Sequence, residues 1–129
     1  MPLEPAQPAA DSSISTDHAH LSDLVSRIRS AIDDARVSEA RQQLFRLEGL
    51  YASHFRREEF IMARINYPAL DDHRREHCGL IDTLARINQV MNMENLQGIS
   101  PAIAAHLETT LRHTIETDRQ FLDFMATAA

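Results

Sequence analysis

At 129 residues the chain has the length of one domain, enough to bury a core without disulfide staples. Three glycines and few β-branched or aromatic residues argue against a β-rich fold, and a net charge of −6 argues against a nucleic-acid partner. No apolar run approaches the roughly 20 residues that span a bilayer, and a single cysteine, Cys78, fits a reducing compartment, the cytoplasm.

Residues 1–15 carry three of the five prolines and read as a flexible tail. The segment MPLEPAQPAADSS has no positive n-region and no apolar h-region, so no secretory signal is expected. A first helix is predicted over about 16–36, with Ser15, Thr16 or Asp17 as its cap. Its apolar stripe is Leu21, Leu24, Val25, Ile28 and Ile32, and His20 lies one turn before Leu24. A second helix is predicted from a cap at Ser38 to about Asn66, where Asn66-Tyr67-Pro68 ends it because proline disfavours helix at the residue before it. The third is predicted over about 69–94, with Leu70, Leu80, Leu84, Ile87 and Met91 inward. A loop at Asn95–Ile99 and a Ser100-Pro101 start signal precede the fourth, about 101–126. Long amphipathic helices with short connections predict an all-α fold, an up-down-up-down antiparallel four-helix bundle over 16–129.

Seven histidines in so short a chain set the functional question. In the motif HFRREEF, His54 and Glu58 are four residues apart, as are His73 and His77, so each pair projects from one side of its helix. Alone, His54 and Glu58 read equally well as an exposed ion pair. Counted from the end where the first helix begins, however, His20, His54, Glu58, His73, His77, His113 and Asp118 all fall within about 6–20 Å along the bundle, at roughly 1.5 Å per residue. His113 and Asp118 fit less well, because five residues turn an ideal helix by about 140°. Burying five imidazoles and two carboxylates unpaired is very unfavourable, and a metal ion removes that penalty. Imidazole with carboxylate suits iron, copper, zinc or nickel, and seven groups are too many for one tetrahedral ion. Two ions bridged by the carboxylates would use them all.

The chain resembles the hemerythrin family, in its single-domain bacterial form. The resemblance rests on TDHAHLSDL with His20, HFRREE with His54 and Glu58, HRREH with His73 and His77, and HTIETD with His113 and Asp118. Tyr51, the doubled glutamate, Met62 and the Asn66-Tyr67-Pro68 turn match as well. It implies a non-haem di-iron centre with an oxo or hydroxo bridge. One iron would be held by His73, His77 and His113, the other by His20 and His54, with Glu58 and Asp118 bridging. It implies reversible dioxygen binding for transport, storage or sensing by a non-enzymatic protein. The alternatives are a di-iron oxidase, peroxidase or nitric-oxide-handling protein, and an oxygen- or iron-responsive module that acts through a partner protein. Glu-x-x-His, the mark of carboxylate-rich ferritin-like sites, is absent from the chain. Thr109 stands where many members carry tryptophan.

The other polar groups near the motifs receive blander readings. His18 reads as a first-turn surface residue, and as a first-helix ligand only in the alternative. His106 reads as a core position or a support behind a ligand. Arg56, Arg57, Arg74 and Arg75 read as solvated outer faces, Cys78 as a small buried hydrophobe, and Glu59 as solvated or placed behind a ligand.

Overall fold

A computed structural model describes residues 6–91 and 101–127, with side chains from residue 13 onward. It contains four helices: α1 Ala6–Asp33, α2 Val37–Arg64, α3 Leu70–Met91 and α4 Pro101–Thr127. Among the described residues there is no strand, and no helix is long and apolar enough to cross a membrane. The predicted Asn95–Ile99 loop and Ser100 cap lie outside the described residues. α1 packs against α2 and α4, and α2 against α3.

Each helix buries a seam that alternates steps of three and four residues, the period of an inward face. On α4 the seam is Ala104, Leu107, Leu111, Thr114, Asp118, Phe121 and Met125. On α2 it is Ala40, Leu44, Leu47, Tyr51, His54, Glu58 and Met62, and on α3 His73, His77, Leu84, Asn88 and Met91. Asn88 is tolerated there because its Nδ2 donates to Glu48 Oε1 at 2.7 Å.

Two helix ends are closed by the same device. The amide of Arg36 reaches Ala31 O at 2.8 Å and that of Ala35 reaches Ile32 O at 3.1 Å. The amide of Tyr67 reaches Met62 O at 2.9 Å and that of Asn66 reaches Ala63 O at 3.3 Å. Both are Schellman closures, with Ala35 and Asn66 at the left-handed position, φ 57° and 56°. Asparagine suits that conformation, which explains the stop before Pro68. Ser38 is not the cap of α2. It is exposed within the first turn, and the cap position is Arg36, which makes no side-chain capping bond.

The N-terminal expectation is also corrected. α1 begins at Ala6, not near residue 16, so residues 6–15 are helical and Ser15, Thr16 and Asp17 are interior helix positions. Ile14 is 0% exposed and packs with Met62, Phe121 and Met125 in a small apolar cluster. A larger cluster, built on Leu21, Leu24, Leu44, Tyr51, Leu84 and Leu111, lies on the other side of the histidine-bearing turns. The polar layer is therefore enclosed between two apolar layers, and the early turns of α1 help to close it.

Candidate metal centre

The buried polar layer is assembled from the seams just described. His54 and Glu58 are both fully buried, and His73, His77 and Asp118 nearly so. Each occupies a position that an apolar residue would otherwise fill, so helix periodicity alone turns them inward. His54 Nε2 donates to Asp118 Oδ2 at 2.9 Å, and His54 Nδ1 donates to Asp17 Oδ2 at 2.8 Å. His18 Nε2 donates to the same Asp118 oxygen at 2.6 Å. His77 Nδ1 donates to Glu59 Oε2 at 2.6 Å, which leaves its Nε2 facing Glu58 Oε1 at 3.5 Å. His73 lies beside His77, ring centres 5.7 Å apart, and its Nδ1 is buried without a hydrogen bond.

Glu58 is the unusual member. Both of its oxygens are buried and lack a hydrogen bond of acceptable geometry. The nearest imidazole nitrogens are His54 Nε2 at 3.4 Å, whose proton is directed at Asp118, and the unprotonated His77 Nε2 at 3.5 Å. Such an orphaned buried carboxyl is rare in folded proteins and calls for a missing partner.

The charge states follow from burial and neighbours. Burial, reinforced by the Asp118 carboxylate, pushes the Glu58 carboxyl up to about 9 against the opposing pull of His54. Burial disfavours a charged His54, but contacts with Asp118 and Glu58 outweigh it and raise that imidazole to about 10. Burial also works against an ionised Asp118, yet hydrogen bonds from His18 and His54 overcome it and hold the carboxyl below its usual range. Burial keeps His77 below its ordinary value despite Glu59. Without a metal at neutral pH the layer therefore holds a protonated Glu58, a cationic His54, an ionised Asp118 and a neutral His77.

The first-helix residue that joins this layer is His18. His20 is exposed on the rim, beside Asp17 and Arg57. The reason lies in register. Positions 14, 18, 21, 25, 28 and 32 alternate four and three along the buried seam of α1, whereas His20, one turn before the buried Leu24, falls outside it and is exposed. One ligand atom from each of His18, His54 and Asp118 lies within 4.8 Å of the others, a grouping able to hold an ion. His113 does not join them. Its side chain is 70% exposed, one residue before the seam position Thr114, and its nearest partner is Glu76 Oε2 at 4.0 Å. It stands at the rim of a pocket of about 230 Å³ lined also by Phe55, His77, Leu80, Thr114 and Asp118. Phe55 stacks flat on His77, ring centres 3.8 Å apart, which fixes one wall.

Other expectations shift as well. Cys78 and His106 are exposed rather than buried. Arg57 is not simply solvated, because its Nε and Nη2 donate to Asp17 Oδ2 and Oδ1 at 3.0 and 2.6 Å. Asp17 was legible in the sequence only as a cap. Its place four residues before Leu21 and one turn from Ile14 was the available signal for an inward position.

The cluster of His18, His54 and Asp118 could hold a metal ion, and the unpartnered Glu58 oxygens and His73 Nδ1 in the same layer fit that chemistry, imidazole with carboxylate. No curated protein matches the chain. The family model for the hemerythrin HHE cation-binding domain matches residues 10–124, a span that covers α2 and α3, most of α1 and α4, and every residue of the buried polar layer. The chain is a metal-binding helical protein that belongs to the hemerythrin HHE cation-binding domain family.

Proposed function

We propose that this chain is a di-iron protein that binds dioxygen reversibly, as a carrier, store or sensor, without catalytic turnover. The observation that carries the reading is Glu58, a fully buried carboxyl with two unpartnered oxygens placed between His54 and His77. A carboxylate set between two imidazole groups suits two cations, one per oxygen. His18 and His54 would serve one ion, His73 and His77 the other, and Glu58 and Asp118 both. His113 would complete the second set by turning inward from the pocket rim. Two bound irons would supply a redox-active pair with one open position for dioxygen.

The protein's own share of the work is enclosure. Phe55 and Leu80 line the pocket beside His77, and the Ile14 cluster covers the other side of the layer. Burial keeps the Tyr51 hydroxyl, pushed up to about 12, from ionising next to the site. The apolar wall of Phe55 and Leu80 limits water beside His77, which favours release of oxygen unchanged. The reading also takes the helices in up-down-up-down order. It is supported by contacts whose residue numbers rise on one helix as they fall on its neighbour, such as Arg29–Glu108 with His18–Asp118, and Glu48–Asn88 with Glu59–His77. A cytoplasmic location is part of the same proposal.

Anaerobic loading with ferrous iron, followed by exposure to oxygen, tests it. Two irons per chain and a visible band that appears with oxygen and fades on its removal are expected. Fewer than two irons, or no oxygen-dependent band, refutes the reading. Turnover of peroxide or nitric oxide far beyond stoichiometric binding refutes the non-catalytic part.

A further inference from the structure

Two histidines of the layer are held from behind in the same way. His54 Nδ1 donates to Asp17 Oδ2 at 2.8 Å, and Asp17 is itself gripped by both arms of the Arg57 guanidinium at 3.0 and 2.6 Å. His77 Nδ1 donates to Glu59 Oε2 at 2.6 Å, and Arg74 Nε stands 3.8 Å from the other oxygen of Glu59. In both cases the order from outside inward is arginine, carboxylate, imidazole Nδ1, and then an Nε2 facing a buried carboxyl, Asp118 at 2.9 Å for His54 and Glu58 at 3.5 Å for His77. The two carboxylates come from different helices, α1 and α2, and serve rings on α2 and α3. Neither repeats the other's sequence spacing, so a common helical motif does not account for the likeness.

We infer that Asp17 and Glu59 are positioning residues, each fixing the tautomer and tilt of one imidazole so that its Nε2 is presented to a metal ion. The inference rests on the proposed two-metal reading and divides the site into two separately supported halves. An imidazole that donates from Nδ1 to a carboxylate must offer Nε2 to the metal, and the hydrogen bond stops the ring from flipping. A bidentate guanidinium locks the carboxylate in turn, because its fork matches both oxygens. The Asp17 half is the stiffer, since both oxygens are taken by Arg57 and only one contact of Arg74 approaches Glu59.

Titration with Co2+, followed by visible absorption and calorimetry, separates the alternatives without any oxygen chemistry. The wild type should take up two ions per chain; failure to bind Co2+ refutes the proposed function itself. Asp17→Ala should weaken one binding step by about 10- to 100-fold, and Glu59→Ala the other by a similar factor. Asp17→Asn and Glu59→Gln keep an acceptor for Nδ1 and should restore most of the loss. Arg57→Ala should weaken the Asp17-dependent step by a smaller factor. Arg57 and Glu59 are partly exposed, so those variants decide the question even if Asp17→Ala does not fold. Asp23→Ala, an exposed carboxylate paired with Arg27, should leave both steps unchanged. Binding by folded Arg57→Ala and Glu59→Ala proteins that equals the wild type overturns the inference. So does an equal loss in the alanine and amide variants, which would make charge rather than ring orientation responsible.

Discussion

Metal uptake should expel about two protons per chain at pH 7, and the structure says which. His54 donates from both ring nitrogens, to Asp17 and Asp118, and its imidazolium persists to about 10. Coordination through Nε2 must displace the proton now shared with Asp118. Glu58, held protonated up to about 9, must lose its proton to offer two oxygens. His77 is already neutral, because burial keeps its imidazole below the ordinary value, and adds nothing at pH 7. Both relevant pKa values lie above neutrality, so proton and metal compete throughout the range from about 6 to 8. Binding therefore tightens as pH rises, by a factor of about 100 per pH unit, or about 2.7 kcal/mol. The dependence should flatten above about 9–10, once both groups have titrated in the metal-free protein. Calorimetric Co2+ titration in two buffers of different ionisation enthalpy counts the protons directly. Glu58→Gln should release about one proton fewer. A site of ordinary surface histidines would show little pH dependence above 7. Release of fewer than one proton at pH 7.5, or an unchanged count in Glu58→Gln, refutes the protonation pattern derived for the buried layer.

His18→Ala should lower metal affinity sharply, whereas His20→Ala should leave metal content and affinity unchanged, as measured by metal analysis after dialysis; the opposite ranking would restore the sequence-based choice of His20. Ile14→Ala should destabilise the protein by about 2–5 kcal/mol in urea unfolding, because it empties a fully buried site in the small cluster that covers the polar layer. Ala35→Gly should stabilise by about 0.5–1 kcal/mol and raise Tm by a few degrees. It relieves a left-handed alanine at φ 57°, and the greater chain entropy of unfolded glycine offsets only part of that gain.

What the sequence revealed and what it hid have one physical cause. Motifs lying on the main seam of a long helix are legible, because the three-four alternation that buries leucines buries His54, Glu58, His73, His77 and Asp118 at the same steps. His18 was hidden because the first helix was begun ten residues too late. With residues 6–15 read as tail, Ile14 falls outside the stripe, and His18 becomes a first-turn position with nothing buried one turn before it. Leu24, itself buried, draws His20 inward in that reading, although the position one turn before it is exposed. Three prolines caused the error: a composition typical of loose chain outweighed one well-placed isoleucine, whereas folding weighs the isoleucine by the area it buries. His113 differs in kind. The 140° offset from Asp118 was visible in the spacing, and the structure resolves it by leaving His113 at the pocket rim, 70% exposed. α3 and α4 are not among the closely packed helix pairs, and the nearest partner of His113 across that gap is the exposed Glu76 rather than the buried layer. Its inward turn has to be driven by the ion it would bind, which makes His113 the one proposed ligand whose position should depend on metal. An imidazole signal of His113 that shifts from a solvent-like to a buried environment only when metal is added is the expected signature, and a His113 that stays exposed in the loaded protein removes it from the ligand set.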